Sequence, residues 1–147
     1  DDGTIGMVWT IGVVVEVLLF TFSTRAMRRF GAARLIAFAA AMSVVRWGVT
    51  GFDPPVPVLF ALQAMHGLTF GAAHLGAMHF LASAVPPRLG ATAQGIYSAM
   101  TAGIAMGLVM AASGPLYDFA AGGAYWAMAG LAGLGFLAAV ALDRFKA

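Results

Sequence analysis

Residues 5–34 read IGMVWTIGVVVEVLLFTFSTRAMRRFGAAR. From Ile5 to Phe22 the only charge is Glu16, and then Arg25, Arg28, Arg29 and Arg34 follow in close order. A helix that crosses a bilayer needs about 20 mostly apolar residues. Basic side chains gather in the connections on one side of it. The stretch therefore predicts a membrane-spanning helix that ends in a basic loop.

Composition extends this reading to the whole chain. Of 147 residues, 61% are hydrophobic and only 10% charged, and the mean hydropathy is +0.89. Soluble domains are near half apolar and a quarter charged. A water-soluble fold of this size cannot hide so much apolar surface, so lipid is the solvent. The 19 glycines suit close helix packing in a bilayer. With no cysteine, disulfides, thiolate metal sites and thiol nucleophiles are excluded. The start Asp1-Asp2-Gly3 has neither a Met nor a signal-peptide basic region. The chain is read as one transmembrane domain, 1–147, that starts in the middle of a longer protein or has been truncated.

Five spans are predicted. The first is Ile5 to Phe22 and the second Ala33 to Thr50. The third runs between Pro54-Pro55 and Pro86-Pro87, since proline punctuates helix ends. The fourth covers Thr92 to Tyr117 and the fifth Ala124 to Leu142, after Gly122-Gly123. With five spans, Arg25, Arg28, Arg29, Arg34, Arg88, Arg144 and Lys146 share one side, and Asp1, Asp2, Asp53 and Asp118 the other. All of the 8 basic residues except Arg46 are thus segregated. The positive-inside rule makes that side cytoplasmic, with the N-terminus of the chain outside and the C-terminus inside.

Two charges remain within spans, Glu16 and Arg46. An intramembrane charge costs roughly 2.5–3.5 kcal/mol on insertion scales and usually pairs or lines a polar cavity. At 1.5 Å per residue from the basic end, Glu16 lies about 12 Å deep and Arg46 about 18 Å deep. A Glu16–Arg46 pair is geometrically available. On the third span, His66 lies about 15 Å from the outer end. Gln63, Phe70 and His74 share its broad face, while His79 points elsewhere. The fourth span adds a polar stripe of Gln94, Tyr97, Ser98 and Thr101. Glu16, Arg46 and His66, from three consecutive spans, converge near mid-depth, where transporter sites sit. A ligand that competes for the arginine could switch the protonation of a nearby carboxylate, and histidine could relay the proton.

The plainer reading is structural. Glu16 and Arg46 would then fix helix register, and His66 would hydrogen-bond between helices. The histidine spacings are not the i, i+4 pattern of a helical metal site, so no metal or other cofactor is expected. Nor is there a phosphate loop, a nucleophile elbow or a basic–aromatic nucleic-acid patch. Neither enzymatic chemistry nor nucleic-acid binding is expected. The spacing Gly103–Gly107 and the repeated Gly130, Gly133 and Gly135 predict close backbone contacts, and Gly114-Pro115 a bend in the fourth span.

The loop Arg28-Arg29-Phe30-Gly31-Ala32-Ala33-Arg34 resembles the cytoplasmic motif Asp-Arg-x-Gly-Arg-Arg of the major facilitator superfamily, with Arg28 in place of the Asp. Several strings are more specific. Val15-Glu16-Val17, Val45-Arg46-Trp47, Gln63-Ala-Met-His66, Ala93-Gln94-Gly95-Ile-Tyr97 and Gly114-Pro-Leu-Tyr117-Asp118 are similar to the phenylpropionate permease family and its lactose-permease-like and nucleoside-symporter relatives. The resemblance implies that the five helices are the eighth to twelfth of a twelve-helix fold, whose N-terminal half is the missing partner. It implies that Glu16, Arg46 and His66 serve substrate binding and proton coupling. Thr69 stands where those relatives carry a glutamate one turn after the histidine, which leaves Glu16 as the proton carrier.

The resulting expectation is proton-coupled symport of a small organic solute, an aromatic carboxylate among the options, across the cytoplasmic membrane. The site residues would be Glu16, Arg46, Gln63, His66, His74, Gln94 and Tyr97, and Arg28, Arg29, Gly31 and Arg34 would form the loop motif. The alternative is a non-transporting membrane scaffold or assembly protein on the same fold.

Overall fold

The computed structural model describes residues 2–145, with side-chain environments given as far as Arg144. Asp1 and Lys146, assigned above to opposite ends, lie outside the described residues. The chain is helical throughout, with no strand among the described residues. In order it forms α1 (Asp2–Thr21), α2 (Ser23–Phe30), α3 (Ala32–Thr50), α4 (Val56–Ala84), α5 (Gly90–Ser98), α6 (Met106–Ala120) and α7 (Ala124–Phe145).

Among the described residues, four apolar stretches are long enough to cross a membrane: Asp2–Thr21, Ala32–Thr50, Val56–Ala84 and the 58-residue Pro87–Arg144. At 1.5 Å per residue the last is about 87 Å long, more than twice a bilayer's hydrocarbon core. It reverses at the short 3₁₀ turn Ala121–Gly123, where Ala121 has φ 46. The turn sits against the end of α3: a Cβ on Gly122 would lie 3.3 Å from the Asp53 carboxylate and from the Gly51 carbonyl. The stretch therefore makes two passes, and the bundle has the five predicted spans.

Their boundaries differ modestly from expectation. α1 begins three residues earlier than predicted, and α4 fills the space between the proline pairs. The fourth span is less regular than predicted. It starts as a 3₁₀ turn at Pro87–Leu89, continues as α5, widens to a π-helix over Ala99–Ala105 and resumes as α6, with Pro115 inside. The Thr101 hydroxyl donates to the Tyr97 carbonyl (2.8 Å) at the start of the widened segment. Such back-bonding bends helices. The basic connection is also not a plain loop, because Ser23–Phe30 folds into the amphipathic α2. Gly31, at φ 75, supplies the break before α3 that a side chain would resist.

Close helix contacts fall on glycines other than those predicted. A Cβ on Gly67 would come within 2.5 Å of the Gly12 carbonyl oxygen and 2.9 Å of the Glu16 amide nitrogen. One on Gly76 would come within 2.7 Å of the Ile36 side chain. These positions seat α4 between α1 and α3, while α7 packs along the other side of α3. By contrast, a Cβ on Gly103, Gly107, Gly130, Gly133 or Gly135 would meet nothing within 4 Å. Small-residue spacing alone does not decide which face meets a neighbour.

Helix directions follow from the pairs in contact. Gly12 meets Gln63 and Leu19 meets Gly71, so α1 and α4 run the same way. Arg34 at the start of α3 pairs with Asp143 at the end of α7, and Trp126 at the start of α7 bonds Gly48 near the end of α3. α3 and α7 are thus antiparallel. The α2 arginines, Arg34, Arg88 and Arg144 share one end, and Asp2, Asp53 and Asp118 the other. Core residues are few and mostly small: Ala33, Leu35, Ala39, Leu62, Ala72, Leu75 and Ala139. Trp9, Val13, Phe38, Leu108 and Leu134 are exposed, as expected of helices solvated by lipid.

Candidate substrate site

Arg46 is the most deeply buried charge among the described residues, 9% exposed. It lies in the second half of α3, the helix flanked by α4 and α7. Its Nε is buried and has no hydrogen-bond partner among the described residues. The guanidinium carbon lies 4.0 Å from the centroid of the Trp47 ring. Trp47 in turn stacks on Tyr125 of α7, with centroids 5.6 Å apart and planes 9° from parallel. A cation over an aromatic face is stabilised by the ring quadrupole, by about 2 kcal/mol when desolvated. That partner replaces the carboxylate that the sequence suggested.

Glu16 and Arg46 form no ion pair, and the sole pair among the described residues is Arg34–Asp143. The physical reason is placement, since α4 packs between α1 and α3. Glu16 instead lies along α4, its Cγ 3.8 Å from the position of a Cβ on Gly71. Its side chain is half-buried.

On α4 the expected face is present. His66 stacks on Phe70 (6.0 Å, 24°) and Phe70 on His74 (5.9 Å, 12°). Phe20 of α1 closes on His74 edge-on at 6.3 Å. The column follows from i, i+4 spacing along a helix. Gln63 packs against α1, its Nε2 3.1 Å from where a Gly12 Cβ would be. His79 is exposed, away from the column.

The structure thus brings Glu16, Gln63 and His74 to the α1–α4 seam, with His66 in the aromatic column on α4 and Arg46 on the adjoining helix. It does not bring in Gln94, which is exposed, and Tyr97 is half-buried on α5, which packs chiefly against the end of α4. In the loop motif, Arg34 Nε donates to Asp143 Oδ2 at 3.1 Å. Arg28 and Arg29 are exposed in the last turn of α2, where the helix dipole favours cations, and Arg29 lies over the Phe30 ring at 5.7 Å.

The aromatic residues beside Arg46 were not among the sequence candidates. Trp47 and Tyr125 meet as described, and Trp126 donates its indole N–H to the Gly48 carbonyl at 3.3 Å and packs edge-on against Phe52. Gly51 leaves room for that indole, which a Cβ there would strike. The usable signal was the clustering of Trp, Tyr and Phe at span ends, typical of interfacial belts.

The family profile described as "MFS_1 like family" matches residues 1–128. The chain belongs to the MFS_1-like family of the major facilitator superfamily. Among its MFS relatives, a protein named "Probable 3-phenylpropionic acid transporter" from Escherichia coli (strain K12) is 34% identical over 128 residues, 85% of this chain and 33% of that protein. The "Maltose permease" of Geobacillus stearothermophilus is 29% identical over 100 residues, covering 68% of this chain and 25% of the permease. An uncharacterized transporter of Bacillus subtilis (strain 168) is 24% identical over 115 residues, 78% of this chain and 29% of the relative. The chain thus spans a third or less of the length of these MFS relatives. No solved structure matches. The family is one of transporters, not enzymes.

Proposed function

We propose that the protein to which this chain belongs is a proton-coupled symporter of an aromatic carboxylate in the cytoplasmic membrane. The chain would supply the eighth to twelfth helices of a twelve-helix transporter, with the basic end in the cytoplasm, and the other helices would complete the translocation path. The observation that carries this reading is Arg46, a buried guanidinium whose Nε lacks a partner among the described residues. An unpaired cation at membrane depth is costly and marks a functional site by default. A planar fork of N–H donors matches a carboxylate well.

Glu16 would carry the proton. It is an intramembrane carboxylate without an ion-pair partner among the described residues, on the same seam as Gln63 and against the helix that carries His66. Those two would complete the polar lining, while His74, Gln94 and Tyr97 would face the path in other stages of the cycle. Alternating access would move this bundle against the other half about the shared site. The name of the Escherichia coli relative supports an aromatic acid as substrate.

The test is uptake of 3-phenylpropionate by full-length protein in proteoliposomes under an inward proton gradient. Accumulation is expected with the unaltered protein and its loss with Glu16→Gln, while exchange of labelled for unlabelled substrate persists. Undiminished accumulation by Glu16→Gln removes Glu16 from proton coupling.

A further inference from the structure

We infer that the open groove at the basic end of α7, lined by Leu137, Val140, Ala141 and Arg144, binds an anionic phospholipid, with an acyl chain on the apolar residues and the phosphate on Arg144.

The groove has a volume of about 520 Å³, within the roughly 300–1,000 Å³ of small-molecule sites. Its four residues follow the i, i+3, i+4, i+7 spacing of a single helix face. Ala139, 4% exposed, marks the side of α7 that packs on α3. The groove lies on the opposite side, where Leu137 is 64% exposed and Leu134, one turn deeper, 65%. From Leu134 to Arg144 is about 15 Å at 1.5 Å per residue, half of a hydrocarbon core of about 30 Å. The face therefore runs the depth of one leaflet and ends in a cation at its surface.

Charge complementarity decides the occupant. Arg144 is exposed in the last turn of α7 and forms no ion pair or hydrogen bond among the described residues. The acid beside it, Asp143, is engaged by Arg34. A helix dipole favours a cation at this end, but that alone requires no groove above it. Arg25, Arg28, Arg29 and Arg88 are also exposed at the basic end, and none of them lines this groove. Arg144 joins an apolar wall to a positive head. Arginine stems lie on apolar surface while their heads stay at the interface, and the guanidinium fork matches a phosphate. A zwitterionic lipid brings an ammonium with its phosphate, and a free anion makes no use of the apolar wall. An anionic lipid fits both parts. Such lipids populate the cytoplasmic leaflet, the side to which the orientation proposed above assigns this end, although the fit of groove and lipid does not depend on that orientation.

Native mass spectrometry of the purified full-length protein with equal concentrations of dioleoylphosphatidylglycerol and dioleoylphosphatidylcholine tests this. The readout is the ratio of the two bound lipids for the unaltered protein and for Arg144→Gln, Arg88→Gln and Val140→Trp, each checked for intact folding by its melting temperature. Arg144→Gln should lower the preference for phosphatidylglycerol about fivefold, the scale of one arginine at an anionic membrane surface. Arg88→Gln removes an equal charge outside the groove and should leave the ratio within about twofold, because scattered exposed charges contribute little. Val140→Trp fills the groove and keeps the cation, and should lower bound phosphatidylglycerol by about the same fivefold factor. Soluble glycerol phosphate, an anion without acyl chains, should not displace the lipid. An unchanged ratio in Arg144→Gln overturns the site, as it would if another helix of the full-length protein or a second copy covered this face. Equal losses in Arg144→Gln and Arg88→Gln overturn it too, since they would mark diffuse surface charge. Full binding by Val140→Trp, or displacement by glycerol phosphate, would reduce the site to an anion contact and overturn the role of the groove.

Discussion

The Arg46 guanidinium lies over the indole of Trp47, 4.0 Å from the ring centroid, rather than against Glu16. The two residues are neighbours on α3, so the contact needs no movement of helices. It gives a buried cation an uncharged partner and leaves its Nε hydrogen-bonding capacity open. An arginine locked to a carboxylate would have to break that pair to hold a substrate anion, whereas this one need not.

Arg46→Met separates stability from function. The substitution removes a desolvated charge without a carboxylate partner among the described residues and keeps an apolar side chain in its place. Loss of the ring contact, about 2 kcal/mol at most, is offset by relief of the buried charge. The melting temperature of detergent-solubilised full-length protein should stay the same or rise, while 3-phenylpropionate uptake disappears. A clear drop in melting temperature would show that Arg46 is chiefly a structural element.

Gly67→Ala should weaken the seam between α1 and α4. Its methyl group would meet the Gly12 carbonyl oxygen at 2.5 Å and the Glu16 amide nitrogen at 2.9 Å, both backbone atoms that have no room to yield. Overpacking of this kind costs about 1–3 kcal/mol. Gly130→Ala is the control. Nothing lies within 4 Å of the added atom, and alanine favours a helix by about 0.5–1 kcal/mol over glycine. Melting temperatures of the two variants should move in opposite directions.

Asp143→Asn should have little effect on stability. The Arg34–Asp143 pair joins the start of α3 to the end of α7 at 3.1 Å, but its side chains are 69% and 39% exposed. Exposed ion pairs contribute about 0–1 kcal/mol and are screened by salt. Thermal unfolding at low and high salt should differ little between this variant and the unaltered protein. A large, salt-sensitive loss would mean that the pair is buried in the assembled transporter.

Much of the fold was legible because it follows from solvent matching. Long apolar runs, the proline pairs at 54–55 and 86–87 and the segregation of arginines from aspartates define five spans without any tertiary information. The α1–α4 seam was partly legible, since Gln63, His66, Phe70 and His74 recur on one helical face. What stayed hidden depends on which faces meet. Gly67 and Gly71 share the spacing of Gly103 and Gly107, yet only the first pair meets a neighbour. The amphipathic α2 is too short for a firm periodic signal. The partner of Arg46 was misjudged because depth along a helix says nothing of what lies between two helices, and here α4 intervenes. Tyr125 reaches Trp47 only through the antiparallel packing of α7 on α3.

The most direct test of the account is the affinity of purified full-length protein for 3-phenylpropionate with and without the guanidinium. Isothermal titration of the unaltered protein and of Arg46→Gln, both checked for intact folding, measures it. A charge-assisted bond to a carboxylate contributes roughly 1.5–3 kcal/mol, so Kd should rise by about tenfold to a hundredfold in the variant. Equal Kd values in the two proteins would contradict the claim that Arg46 holds the substrate's charge.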